Sequence, residues 1–558
     1  MAERLIYLPL GGAGEIGMNA YVYGYGAPGK ERLILVDLGV TFGDMDSSPG
    51  IDLIMPDLTW LEQNRDRLEA IFVTHGHEDH IGALGHLWSR LDVPIYARQF
   101  TGTLCRLKLE EQGLPGEAVN ITGPRPEVTQ VGPFTVQFVP VSHSIPESAA
   151  LIIDTPAGRI VHTGDFKLDG TPVVGDSFDP ILWHDVASEG QGIKVLTCDS
   201  TNVFSTHPGR SEALLANPIL EWVMAQKNMV VATTFASNIA RLKTLSEAAI
   251  ASGRKVCLLG RAMRRMVSVG LETGVLTDFP DTIGPDEAAN LSRDKVMLIV
   301  TGSQGERRAA SAQLSRGRYL GLSLKDGDSF LFSSKTIPGN ERAVGRIMNA
   351  LSESGVNVYD ADDGLFHVSG HANRPDIEAL HDLLKPEIVI PMHGEHLHLR
   401  EHMLLARDKG LGSAIAVNGT MLDLTGERPK VVDQVETGRL YLDGTVLIGA
   451  MDGIVRDRIR MALNGHALVS VIVDEDDNAL PDAWVELMGL PGRTRSGDDL
   501  ARHIEGELAD FLEGADARVV RDDAKMDEAL RKITRQVAME EIGKKPEVTV
   551  IISRLMAD

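Results

Sequence analysis

Residues 74–80 read Thr-His-Gly-His-Glu-Asp-His and follow directly on the apolar run Ile-Phe-Val. Three imidazoles and an aspartate carboxylate within six residues cannot all reach one ion from a regular strand, whose side chains alternate between faces. A tight loop through Gly76 can divide them between two ions. Neutral imidazole and carboxylate suit Zn²⁺, with Mn²⁺ as the harder alternative. The chain must therefore end a buried strand in a polar loop, which is where α/β folds build their sites.

Two ions need further ligands, and strand ends offer them. His143 follows FTVQFVPVS, Asp165 follows RIVHTG, and His393 follows PEIVIPM. Singly, each reads as a capping or core residue; with the 74–80 loop they complete a set. The remaining histidines read as bystanders. His396, His398 and His402 lie on the helix after His393 and are expected to face solvent. His86 is expected to support or pack, and His162 lies within a strand.

A chain of 558 residues exceeds one compact core. Short apolar strands broken by Gly and Asp turns run through the first 200 residues, among them ILVDLG and IVHTGD. From 212 to 344 longer helices alternate with strands, a βαβ rhythm that predicts a parallel sheet. PEIVIPMHGEHLHLREHMLLARDKG then returns to strand, polar loop and helix, so 212–344 reads as an insertion. The expected division is 1–211 and 345–430 for one domain, 212–344 inserted within it, a linker over 431–460, and an α+β domain over 461–558. The start lacks the basic and apolar regions of a signal peptide. No run approaches the roughly 20 apolar residues of a membrane span. Cys105, Cys198 and Cys257 form no CxxC, which fits a reducing cytoplasm.

Taken together, His75, Gly76, His77, Asp79, His80, His143, Asp165 and His393 reproduce in order the motifs of the metallo-β-lactamase superfamily, which this chain resembles. The resemblance implies an α/β fold: an αββα sandwich with an inserted β-CASP α/β domain and a small C-terminal α+β domain. It implies two Zn²⁺ per subunit (or Mn²⁺). One would be held by His75, His77 and His143 and the other by Asp79, His80 and His393, with Asp165 bridging. The superfamily spans many hydrolases, and the centre alone does not choose among them. Cys198-Asp199-Ser200-Thr201-Asn202, His367-Val368-Ser369-Gly370-His371 and Pro391-Met392-His393-Gly394-Glu395 resemble motifs A, B and C of the β-CASP nucleases. GGAGEIGMN, SHSIPES, TGDFK, DSTN, TFASNIARL, TGSQGE and HVSGHA are similar to the ribonuclease J family along essentially the whole chain.

That resemblance implies a cytoplasmic ribonuclease with 5′→3′ exonuclease and endonuclease action, a preference for 5′-monophosphates, and work in messenger turnover and ribosomal RNA maturation. His371 would be the general acid, Asp199 its orienting partner, and Asp79 an aid in positioning the attacking water. Ser369, Gly370 and His371, with His367 and Val368, are expected to bind substrate phosphate. So are Ser237, Asn238 and Arg241, which open a helix after a strand. The formal charge of −24 opposes general affinity for nucleic acid. Single-stranded RNA would need a local basic groove, for which Arg261, Arg264, Arg265, Arg307, Arg308, Arg316, Arg318 and Lys335 are the contributors expected. The amphipathic helices and last strand of the C-terminal domain suggest self-association, as homodimer or homotetramer. The resemblance is compatible with membership of an RNA-degradation complex but names no partner, and no membrane role is expected.

Three other readings compete. A DNA-processing β-CASP nuclease would share the metals but differ at the motif-B end. A non-catalytic RNA-binding subunit would have lost ligands, and here all seven are present. A small-molecule hydrolase such as a lactonase would not need an inserted domain of this size.

Overall fold

A computed structural model describes residues 2–190 and 192–556. The chain divides into two compact units, residues 1–41 with 55–439, and residues 42–54 with 440–558.

The larger unit is built on two facing sheets. Eight strands run in the order Lys430–Gln434, Thr420–Asp423, Arg4–Gly11, Ala20–Gly26, Arg32–Val36, Leu68–Phe72, Ile95–Ala97 and Val119–Ile121. Seven run in the order Gly412–Ser413, Ile388–Met392, Ile193–Asp199, Gly158–His162, Ala149–Thr155, Phe134–Pro140 and Thr129–Val131. The strand period of two explains why the second sheet is apolar on both faces. Phe138, Leu151, Ile153, Ile160, Val195 and Ile390 point to the first sheet and join Tyr7, Ile34 and Phe72. Val139, Ile152, Val161, Leu196 and Val389 point the other way, onto the helices Pro180–Ser188, Arg374–Leu384 and His396–Asp408. The result is the αββα sandwich expected.

Ile193–Asp199 and Ile388–Met392 are parallel neighbours. The chain leaves the sheet on one and returns on the other, and a third sheet is built in between. Its five strands are all parallel, in the order Lys255–Leu259, Val296–Val300, Val230–Thr233, Ser329–Phe332 and Asn357–Tyr359. The insertion therefore does not stop at 344. Helix Glu341–Glu353 and strand Asn357–Tyr359 complete its last βαβ step, and Val344, Ile347 and Leu351 are buried in its core.

The smaller unit holds a three-stranded sheet of Trp484–Met488, His466–Val473 and Glu547–Arg554. Helices Leu500–Gly514 and Asp523–Ile542 cover it through Leu500, Ile504, Leu508, Met526 and Leu530. The linker expected over 431–460 is instead regular structure. Lys430–Gln434 is the edge strand of the eight-stranded sheet, Arg439–Asp443 pairs with Val446–Gly449, and Ile454–Asn464 is helical. The N-terminal stretch 42–54 also belongs here: Asp52 N donates to Leu442 O at 2.9 Å, and Gly444 N to the Asp52 carboxylate at 2.9 Å. Among the described residues no helix is long and apolar enough to cross a membrane.

Candidate metal centre

The loop after Leu68–Phe72 turns sharply, so that His75, His77 and His80 leave the strand in different directions. Gly76 permits this, because a Cβ there would lie 2.5 Å from the Leu104 side chain. His143 arrives from the end of Phe134–Pro140, Asp165 from the end of Gly158–His162, and His393 from the end of Ile388–Met392. All seven expected ligands come together. His75, His77, His143 and Asp165 form one group, and Asp79, His80, Asp165 and His393 form the other. Asp165 belongs to both, with Oδ2 at 3.6 Å from His75 Nε2, 3.7 Å from His143 Nε2 and 3.3 Å from His80 Nε2.

Hydrogen bonds behind the rings fix which nitrogen faces inward. Asp37, at the end of Arg32–Val36, accepts from Thr74 Oγ1 at 2.8 Å and from His80 Nδ1 at 2.7 Å. Thr74 Oγ1 in turn accepts from His75 Nδ1 at 3.0 Å, and Gly370 O accepts from His143 Nδ1 at 2.6 Å. The Nε2 lone pairs of His75 and His143 are thus left facing His77 Nδ1, each at 3.1 Å. Without a cation, His77 Nδ1 has to carry its proton and share it between the two; a cation among the three nitrogens takes the place of that proton. The spacing is close to the about 3.3 Å edge of a tetrahedron with metal–nitrogen bonds of about 2.0–2.1 Å.

Electrostatics agree. Burial holds the imidazoles of His75 and His143 well below their ordinary range and pushes His77 down to about 4, so all three are neutral and fit to ligate. In the second group burial also opposes charge on His393 and His80, but neighbouring carboxylates outweigh it. Asp165 foremost pushes His393 up to about 10, and Asp165, Asp79 and Asp37 raise His80. Asp165 is itself held well below the carboxylate range despite burial, by His393 and His80. Buried carboxylates here demand positive charge, from protons or from a metal. His393 Nε2 lies 3.4 Å from Asp79 Oδ2 yet is not aligned for a hydrogen bond, a buried nitrogen without a partner. The donor set therefore fits two borderline cations.

Asp37, Thr74 and Asn19 were missed in the sequence. Asn19 Nδ2 donates to Asp79 O at 3.0 Å and approaches Asp79 Oδ2 at 3.4 Å, while Tyr21 Oη donates to Asn19 Oδ1 at 2.7 Å. Asp37 had a signal, a carboxylate closing the apolar run ILV, but nothing showed that it faces His80. Partners behind metal ligands typically carry about 10–100-fold of metal affinity or activity. Asp37→Asn is expected to lose that much in metal affinity measured by competition with a chelator, and unchanged affinity would show that Asp37 only closes the strand.

A third group, Asp199 and His371 with Asp165 and His393, stands beside the first two. His371 Nδ1 donates to Asp199 Oδ2 at 2.7 Å. Asp199 Oδ1 accepts from Thr201 N and Oγ1 at 2.9 and 2.7 Å, so the carboxylate cannot swing away. Burial opposes protonation of His371, but the charge and hydrogen bond of Asp199 prevail and raise its pKa. Asn202 knits the two motifs together: its amide donates to Ser369 Oγ at 2.7 Å and Asn373 Oδ1 at 3.0 Å.

The expected phosphate-binding residues fare unequally. Ser369 Oγ accepts from His371 N at 3.1 Å as well as from Asn202, and Gly370 serves His143 through its carbonyl. A Cβ on Gly370 would meet Ser144 Oγ at 2.8 Å and His143 Cε1 at 3.0 Å. Val368 is buried, and His367 is half-buried and pushed down to about 3 by burial and by Arg241, Lys335 and Lys167. Ser237 lies half-buried in the turn before helix Ile239–Ala251, and the Asn238 side chain caps that helix by accepting from Arg241 N at 2.9 Å. Arg241 does not face a ligand. It is fully buried, forked onto Glu212 at 2.5 and 3.0 Å and bonded to Ser333 and Phe366 carbonyls. A buried guanidinium needs a counter-charge, and Glu212 supplies it.

Two bystander assignments also change. His402 is fully buried rather than solvent-facing, and His398 is half-buried against Phe204; His396 is exposed as expected. The eight basic residues proposed for a groove are all exposed, with Arg265 engaged by Glu111.

Four family profiles match. They are "Metallo-beta-lactamase superfamily" over residues 14–207, "Ribonuclease J, beta-CASP domain" over 227–351, "Zn-dependent metallo-hydrolase RNA specificity domain" over 365–416, and "Ribonuclease J C-terminal domain" over 453–555. The chain is 40% identical to ribonuclease J of Sinorhizobium meliloti, over 99% of this chain and 98% of that one. It is 34% identical to ribonuclease J of Mycolicibacterium smegmatis, over 97% and 95%. A crystal structure of a protein of unknown function from Enterococcus faecalis superposes with a TM-score of 0.52 at 17% identity, over 76% of this chain and all of the other, and speaks for the fold alone.

Proposed function

This chain belongs to the ribonuclease J family of metal-dependent nucleases, and from that premise we propose that it hydrolyses RNA phosphodiesters with two Zn²⁺ (or Mn²⁺) per subunit. It would act as a 5′→3′ exonuclease on 5′-monophosphorylated strands and as an endonuclease, in cytoplasmic messenger turnover and ribosomal RNA maturation. The observation that carries this reading is the His371–Asp199 pair standing beside two ligand groups that share Asp165.

A pair of bound cations would supply Lewis acidity, lowering the pKa of the attacking water and stabilising charge on the phosphoryl oxygens. The protein's own groups do the rest. His75, His77 and His143 would hold one ion and Asp79, His80 and His393 the other, and the Asp165 carboxylate would offset their repulsion. Asp79, steadied by Asn19, would help to orient the attacking water. His371 has its Nδ1 committed to Asp199, which leaves Nε2 to give a proton to the leaving 3′-oxygen. Ser369, Gly370 and Ser237 remain proposed contacts to substrate phosphate, and Asn238 can combine that role with capping. Arg241 is assigned to structure.

The profile over 365–416, described as an RNA specificity domain, favours RNA over DNA. The exposed Arg261, Arg307, Arg308, Arg318 and Lys335 offer local positive charge on an otherwise acidic chain. Exposed Trp484, Met488, Ile551 and Met539 favour self-association through the smaller unit.

Digestion of matched 5′-monophosphorylated RNA and DNA strands, with and without chelator, tests the proposal. RNA should be degraded from its 5′ end, chelator should abolish this, and added Zn²⁺ or Mn²⁺ should restore it. Chelator-resistant cleavage or equal attack on DNA would overturn it. A 5′-triphosphate strand digested as fast as the monophosphate would remove the 5′-end preference.

A further inference from the structure

A second cluster of metal-binding side chains lies behind the catalytic groups, and the proposed reaction makes no use of it. Cys198 is the residue before Asp199 on Ile193–Asp199. His381 lies on helix Arg374–Leu384 and His402 on helix His396–Asp408. All three are buried, at 0%, 2% and 0% exposure. The Cys198 sulphur and one ring nitrogen from each histidine lie within 4.8 Å of one another.

The arrangement of the rings repeats the logic of the main centre. Ser200 Oγ lies 3.4 Å from Cys198 O, to which it can donate, and 2.9 Å from His402 Nδ1, from which it can then accept. In that arrangement His402 carries its proton on Nδ1 and turns its Nε2 lone pair inward. It faces His381 Nε2 at 3.2 Å, again close to the about 3.3 Å edge expected around a tetrahedral cation. His381 Nδ1 is buried without a hydrogen-bond partner. If a proton on His381 Nε2 bridged the two rings, that Nδ1 would be a bare acceptor in an apolar core, at a cost of about 1–3 kcal/mol. A cation on both Nε2 atoms leaves His381 Nδ1 a buried donor, still without a partner, so what favours the cation is the close Nε2 pair and not Nδ1. Burial, with Lys409 against His381 and His381 against His402, holds both imidazoles below their ordinary range, the neutral form a metal requires.

We infer that Cys198, His381 and His402 form a third cation site, for a thiophilic divalent ion of the Zn²⁺ class. One sulphur with two imidazoles selects soft and borderline ions over Mg²⁺ or Ca²⁺. The site is closed to solvent and structural. It fastens the strand end that carries Asp199 to the two helices flanking it, so that the partner of His371 is held from behind.

The two kinds of site are distinguished by sulphur, because the main centre has only nitrogen and oxygen ligands. The test is reconstitution of the full-length protein with Co²⁺. A near-ultraviolet sulphur-to-cobalt charge-transfer band is expected, with three bound equivalents. Cys198→Ser should lose the band and one equivalent, whereas His77→Ala should keep the band. A protein lacking both Cys105 and Cys257 through serine substitution keeps Cys198 as its one thiol, and it should retain the band whether or not Cys198→Ser folds. Absence of the band from the wild-type protein, its loss in that double variant, or its persistence in Cys198→Ser would overturn the inference. A stoichiometry of two with no band would mean that the rings share a proton.

Discussion

Asp165→Asn is expected to lower RNA hydrolysis by about three orders of magnitude or more, with loss of bound metal and little loss of fold. Asp165 is the one side chain common to both ligand groups. It lies within 3.3–3.7 Å of three inward-facing Nε2 atoms, and its other oxygen accepts from His393 Nδ1 at 2.5 Å. An asparagine keeps the shape but removes the negative charge that lets two cations approach. Metal-ion stabilisation of transition-state charge is worth several kcal/mol. At about 1.4 kcal/mol per tenfold, losing about 4 kcal/mol of it gives the stated factor. Metal content by elemental analysis and the single-turnover rate on 5′-monophosphorylated RNA are the readouts. A variant that binds two ions and cleaves within tenfold of wild type would show that Asp165 does not bridge. The folded state should survive, because without metal the buried carboxylate is itself a burden balanced by charge on His80 and His393.

What could be read in the sequence was chemistry compressed into short runs. His75, His77, Asp79 and His80 stand within six residues, and His143, Asp165 and His393 each close an apolar strand. Local patterning thus picked out the candidate ligands, while the sandwich around them was implied by the family resemblance. What escaped depends on contacts between distant segments. Asp37 and His80 are 43 residues apart, and Asn19 and His80 are 61 apart. Nothing in either neighbourhood announces the meeting. Arg241 read as an anion donor because it opens a helix, but Glu212, 29 residues earlier, takes its fork. His402 read as exposed because its helix is polar at the start. The buried face of that helix, Leu399, His402, Leu405 and Ala406, carries it against His381. The boundary at 344 failed for a different reason. The last βαβ step of the insertion resembles any other, and only strand pairing with Ser329–Phe332 assigns Asn357–Tyr359 to it.

The second large effect concerns His371. Under the proposed reaction it gives up a proton, so its removal should cost the about 10²–10⁴-fold typical of a positioned general acid. The rate alone does not separate that role from phosphate binding; the pH profile does. Burial disfavours the imidazolium, and cations held nearby would disfavour it further. The Asp199 carboxylate at 2.7 Å works the other way and raises the pKa of His371. A raised pKa keeps the acid loaded at low and neutral pH, and activity falls as pH climbs through it. The wild-type enzyme should therefore show an alkaline limb in its single-turnover rate. Asp199→Asn, which removes the charge but can still accept a hydrogen bond from Nδ1, should move that limb to lower pH. His371→Gln should abolish the limb along with the rate. A substrate whose 3′-leaving group needs no proton, such as a nitrophenolate, should restore most of the lost rate to His371→Gln and leave Asp165→Asn inactive. If His371→Gln keeps the wild-type profile and merely raises KM, the side chain binds phosphate. The pairing with Asp199 would then serve only to aim its ring at the substrate.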